Sequence, residues 1–160
     1  MRRYRLQVQG GELVVFRRLQ LARRGRSDRN AWLKPNNRTN RELDIEIGRW
    51  GVLNNLNAQF VVQPHTVESN VFRFGVPGGL ARFNSSLDWT PEKATFACRT
   101  ADTRSKQISQ HTFTGNVPDA RGERASPRAR INLWLLGGRP PSTGRDFELV
   151  VSSFQFTPLP

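Results

Sequence analysis

Glu42-Leu43-Asp44-Ile45-Glu46-Ile47 alternates acids with aliphatics without a break. A period of two is the pattern of a β-strand with one apolar and one polar face. Leu43, Ile45 and Ile47 are therefore expected in a core, with Glu42, Asp44 and Glu46 together on the opposite face. Carboxylates aligned on one face repel one another, so the row needs a compensating use. General acid/base chemistry and cation binding are the two uses that fit. The plain alternatives are a solvated edge strand and a calcium site.

Working outward, the text after residue 42 reads as short strands separated by turn residues. Strands are expected at 42–50, 54–63 (closed by Pro64), 70–74, 82–89, 94–99, 108–114, 128–136 and 145–157. In the last, Phe147, Leu149 and Val151 hold odd positions whereas Phe154 and Phe156 hold even ones, so a β-bulge is expected at Ser152-Ser153. No segment keeps a 3.6-residue period and no internal repeat is present. The pattern is that of an all-β sandwich or jelly roll.

The 160 residues suit one domain with a working core. No apolar run approaches the ~20 residues that span a bilayer. Nothing at the start reads as a signal peptide, because residues 13–16 run straight into Arg17-Arg18. Cys98 is the single cysteine, which excludes an internal disulfide and a cysteine-based zinc site; alternating with Phe96, it reads as a small buried hydrophobe. His65 and His111 have no partner at ligand spacing. The net charge of +12 is unevenly placed: residues 1–41 hold eleven Arg and Lys34 against Glu12 and Asp28, a net of +10, and the rest of the chain is near balance at +2. Residues 1–41 read as a solvated, poorly ordered basic arm, with a polyanion-binding arm as the sharper alternative.

Paired acids on one strand suit glycoside hydrolysis. The Cα atoms of Glu42 and Glu46 are expected ~13 Å apart, and side chains leaning together would bring the carboxyls closer. A gap of ~5 Å fits a retaining mechanism and ~6.5–9.5 Å an inverting one. Asp44 between them adds negative charge that raises a neighbour's pKa. The stretch 42–46 resembles the catalytic strand of the family-16 glycoside hydrolases, the laminarinase- and lichenase-like enzymes of the concanavalin A-like jelly roll. The likeness continues in order through Asn57-Ala58-Gln59-Phe60, Leu87-Asp88-Trp89-Thr90-Pro91-Glu92, Ile131-Asn132-Leu133-Trp134 and the closing strand 147–156, and covers residues 36–157. It implies Glu42 as nucleophile, Glu46 as acid/base and Asp44 as the residue tuning both.

Alternation supplies candidates for sugar contacts. Asn57 and Gln59 share one face of their strand, and Arg130, Asn132 and Trp134 share one face of theirs. Amides hold hydroxyls while an indole stacks on a pyranose. Trp134 fits a cleft floor and a core position equally, Trp50 fits a subsite or the core, and Trp89 belongs in the core. Arg121 to Arg130 reads as a solvated rim.

One departure from the family stands out. Its members carry several strands before the catalytic one, whereas only 41 residues precede Glu42 here. The expected layout is a basic, poorly patterned segment at 1–35 and a jelly-roll domain at 36–160, incomplete at its N-terminal side, with apolar faces and sheet edges left open. The expected function is retaining endo-hydrolysis of a β-linked polysaccharide, a β-glucan by the resemblance. The alternatives are a non-catalytic carbohydrate-binding module on the same fold and a polyanion binder using the Arg-rich start. No cofactor is called for, though a structural calcium stays open. The expected partner is a polysaccharide or oligosaccharide, with no specific nucleic acid and no membrane span, and the chain is expected to be a monomer. The compartment stays open.

Overall fold

The computed structural model describes residues 2–9, 15–23, 42–78, 80, 82–115, 117–118, 125–133, 135–139 and 149–157, with backbone alone at 2–9, 15–23 and 125–128. Ten strands run in order: β1 (Arg2–Gln9), β2 (Val15–Arg23), β3 (Glu42–Ile47), β4 (Ala58–Val62), β5 (Val71–Phe74), β6 (Arg82–Trp89), β7 (Ala94–Thr100), β8 (Gln107–Phe113), β9 (Ala125–Leu133) and β10 (Val150–Thr157). They form two five-stranded sheets, ordered β10-β1-β6-β7-β8 and β5-β4-β3-β2-β9. Every pairing is antiparallel. The chain is all-β. The only helical pieces among the described residues are two short 3-10 turns, Glu68–Asn70 and Leu136–Gly138, and no helix is long and apolar enough to cross a membrane.

The core lies between the sheets and follows from alternation. Leu43, Ile45 and Ile47 of β3 and Phe60 and Val62 of β4 meet Phe83, Leu87 and Trp89 of β6 and Phe96 and Cys98 of β7. Phe60 is fully buried and stacks across the gap on Phe96, ring centroids 5.2 Å apart. Trp89 is a core residue as expected, and its indole N–H donates to the Pro118 carbonyl at 2.8 Å, which satisfies the one polar atom of a buried ring. Cys98 is buried with its thiol unoxidised.

One expectation needs correcting at the N-terminal side. Arg2–Gln9 and Val15–Arg23 do not form a loose basic arm; they pair as β1 and β2, one in each sheet. The reason is visible in Tyr4, Leu6 and Val8, which alternate with Arg3, Arg5 and Gln7. Charge density is no bar to a strand when the intervening residues are apolar. Residues 54–57, expected in a strand, form a turn instead, as an Asn-rich run favours. β9 starts three residues earlier than expected, at Ala125, and tolerates Pro127 because it is an edge strand. The expected bulge in β10 is present: Ser153 pairs with Gln7 and Val151 with Val8, so Ser152 is the extra residue. Of the strand expected at 145–157, residues 145–148 lie outside the described residues.

The two long sides of the sandwich differ. At one, Phe72 of β5 stacks on His111 of β8, centroids 4.2 Å apart and 9° from parallel, and Phe113 closes edge-on to the imidazole at 4.5 Å. At the other, β9 and β10 are edge strands whose core-row residues Ile131, Leu133, Phe154 and Phe156 are 39–48% exposed. Half-exposed apolar rows on edge strands are where self-association starts.

The closed seam makes a prediction. Burial holds the His111 pKa below the usual histidine value, so the neutral ring is the form the fold favours. Its contribution is present above the unfolded pKa, ~6.5, and is lost as pH falls through the lower folded value. Tm should drop between pH 7 and pH 5, and His111→Phe should flatten that part of the curve. A calorimetric Tm series on both proteins checks it; parallel curves would remove His111 from the account.

Candidate active site

β3 is the middle strand of its sheet, with β4 on one side and β2 on the other. Since odd residues enter the core, Glu42, Asp44 and Glu46 all stand on the outer face, and the register extends that face into rows. The row through Glu46 runs Arg73, Gln59, Glu46, Phe16, Asn132 across β5, β4, β3, β2 and β9. The row through Asp44 runs Val71, Val61, Asp44, Arg18, Arg130 across the same strands. Gln20 is the register partner of Glu42. Asn132 thus sits in the Glu46 row. Trp134 lies outside the described residues.

The acid face is not a solvated edge. Glu42, Asp44 and Glu46 are 5%, 3% and 8% exposed, and Val61 and Gln59 beside them are buried too. Each acid has its own setting. Glu46 accepts a hydrogen bond from the Gln59 side-chain amide. Burial holds the Glu46 carboxyl above the usual carboxylate range and the negative charge of Glu42 adds to this, while the Gln59 hydrogen bond and the charges of His65 and Arg73 pull the other way. That Glu46 feels Glu42 places the two acids in one electrostatic environment. Asp44 accepts from Gln63 Nε2 at 2.8 Å, and Gln63 in turn accepts the His65 backbone N–H at 2.9 Å. The Gln59 side-chain oxygen is buried and accepts no hydrogen bond among the described residues.

No family model, curated protein or solved structure matches the chain. What the site can do rests on its own residues.

Beyond Glu46 the chain turns sharply. Gly51 and Trp50 adopt positive φ, +77° and +50°, a cost glycine escapes and tryptophan does not. The turn is held by Arg49, whose guanidinium donates to the carbonyls of Leu53 and Asn55. Trp50 is half-buried and outside the core cluster, so its indole belongs to the rim. The Arg73 guanidinium sits over that indole, 5.4 Å from the ring centre, and donates to Asn55 Oδ1 at 3.1 Å. Leu136, just past β9, packs within 3.3 Å of where a Cβ on Gly51 would stand. The Trp50 turn and the end of β9 therefore meet at one end of the acid face.

Asn57, expected among the sugar contacts, bonds to the backbone of Val76. Its amide donates to the Val76 carbonyl at 2.9 Å and its oxygen accepts the Val76 N–H at 2.7 Å, a two-point clamp on the loop after β5. Gln63 and Arg73 went unrecognised in the sequence. Gln63 keeps the parity of Gln59 one strand-turn on, a signal masked by the adjacent Pro64. Arg73 depends on the β4–β5 register, which is a non-local fact. Among the described residues no cluster of three metal-ligating side chains forms.

Proposed function

We propose that the chain is a retaining glycoside hydrolase of the family-16 type, acting within β-linked polysaccharides, on a concanavalin A-like jelly roll. The observation that carries this reading is the placement of Glu42 and Glu46 on one outer face, with the Glu46 pKa raised by burial and by Glu42. A raised pKa keeps a carboxyl protonated toward neutral pH, as a general acid requires. The ordered sequence likeness from Glu42 to Phe156 supports the same assignment.

In this mechanism Glu42 attacks the anomeric carbon as its carboxylate, and the bond to the leaving sugar oxygen breaks as Glu46 transfers its proton there. Glu46, now ionised, takes a proton from water, which attacks the glycosyl-Glu42 ester and frees both the sugar and the nucleophile. Gln59 orients Glu46 through its N–H. Gln63 holds Asp44 between the two acids. Trp134, by its sequence position, would supply a stacking surface, and Trp50 carries the Arg73 guanidinium at the rim.

The test is hydrolysis of laminarin and mixed-linkage glucan by the wild type, Glu42→Gln and Glu46→Gln, with reducing ends as readout. Equal rates in all three would end the assignment. A second reading has one observation in its favour: the three acids are nearly closed off, which suits glycan binding without turnover. It predicts a Trp fluorescence change with oligosaccharide and no reducing ends from any of the three proteins.

A further inference from the structure

The acid face is buried along its middle and flanked by exposed cations. Arg73 on β5 is exposed at one flank, and Arg130 on β9 is exposed at the other. Both fall on the outer-face rows, Arg73 in the row of Glu46 and Arg130 in the row of Asp44. Four strand spacings separate their strands, on the order of 19 Å. Among the described residues no carboxylate forms an ion pair with either guanidinium; Arg73 is held by the Trp50 ring and Asn55, which fix its position two strands from Glu46.

We infer that the face binds an anionic polysaccharide, one bearing carboxylate or sulfate groups, with Arg73 and Arg130 reading the charges on either side of the acids. This rests on the glycosidase reading for the chemistry between them. Three features select a charged chain over a neutral one. A platform for a neutral pyranose is a bare indole, but here the guanidinium already covers a face of Trp50. Guanidinium presents a planar fork that matches carboxylate and sulfate oxygens two at a time, a geometry wasted on hydroxyls. The buried acids would repel an anion placed directly over them, so the charges of the ligand must fall on the flanks, where the arginines are. A chain laid across the strands satisfies this, its uncharged linkage over Glu42 and Glu46 and its anionic groups toward β5 and β9.

The experiment compares one backbone with and without charge: laminarin, carboxymethyl-laminarin and sulfated laminarin, titrated calorimetrically into full-length Glu46→Gln protein so that nothing is consumed. The expected result is binding of the charged derivatives about tenfold tighter than laminarin, the size of one charge-assisted hydrogen bond. That margin should disappear in Arg73→Gln/Arg130→Gln and persist in Arg82→Gln/Arg104→Gln, which removes the same charge from exposed positions on or beside the other sheet. Preference for the carboxylated or the sulfated chain identifies the anion. Equal losses in the two double variants would reduce the effect to bulk charge and overturn the inference, as would equal affinity for neutral laminarin. If Arg73→Gln disturbs folding through Asn55, Arg130→Gln alone carries the comparison. Turnover of the same three glycans by wild-type and Glu46→Gln protein is scored separately. Loss of the catalytic reading leaves the binding result standing, and loss of the binding result leaves the catalytic one.

Discussion

Glu46→Gln is expected to lower hydrolysis by at least ~10³-fold and, at neutral pH, to raise Tm by a few degrees. The rate loss follows from removing the proton that the leaving oxygen needs and the base that activates water, both of which fall on one residue in a two-step displacement. The stability gain follows from linkage. A carboxyl whose folded pKa is raised holds its proton more tightly in the fold than in the unfolded chain. Its contribution is full below the unfolded pKa and drains away as pH rises through the folded value, so at pH 7 the buried carboxyl of Glu46 opposes folding relative to a neutral side chain. Glutamine fills the same space without charge and can still accept from Gln59. The gain should therefore be largest at pH 7 and vanish near pH 4, where Glu46 is protonated in both states. In the wild type the alkaline limb of the rate profile should lie above the ordinary carboxylate range, since Glu46 must be protonated to act as acid. A residue that merely packs would show the stability change or the rate change, but not both with opposite signs. Glu46→Gln with unchanged rate and lowered Tm would sink the proposed role.

The parts of this fold that can be read along the chain are those set by neighbours in sequence. β6 is bounded as expected, because Phe83, Leu87 and Trp89 alternate and Pro91 lies just beyond its end. The bulge at Ser152 is legible for the same reason: an inserted residue flips the parity of Phe154 and Phe156 relative to Val151. β1 and β2 were hidden by composition, since a run of arginines invites a reading as disorder even where Tyr4, Leu6 and Val8 keep strand period. The candidate site divides along the same line. That Glu42, Asp44 and Glu46 share a face is a local fact of the pleat. That Gln59 donates to Glu46, that Gln63 reaches Asp44 and that Arg73 covers Trp50 are consequences of pairing between distant segments. Nor does an acid-rich face announce in sequence that it will be buried, because desolvation is a property of what lies across it.

The largest stability effect is expected at Phe60, and it reaches the site. Phe60 is fully buried, 4.4 Å from Phe74 and 5.2 Å from Phe96 between ring centres. Phe60→Ala removes a ring that joins the two sheets and should cost about 3–5 kcal/mol, the range for a buried phenylalanine whose cavity cannot collapse. Against a total of ~5–15 kcal/mol for a domain, that is enough to lower Tm by roughly 10 °C. Phe72 is a useful contrast: it stacks on Phe60 at 6.3 Å yet is only half-buried, so Phe72→Ala should cost clearly less. Phe60 also pairs in register with Ile45, and its chain neighbour Gln59 pairs with Glu46. Loss of the ring frees β4 to shift against β3, and a displacement of ~1 Å can cost on the order of 10²-fold in rate. Below its own Tm, Phe60→Ala should therefore show a reduced kcat, whereas Phe72→Ala should keep it. Chemical denaturation and initial rates on the two variants measure both effects. A Phe60→Ala protein as stable as the wild type would mean that the ring does not hold the sheets together, and the account of how β4 positions Gln59 would fall with it.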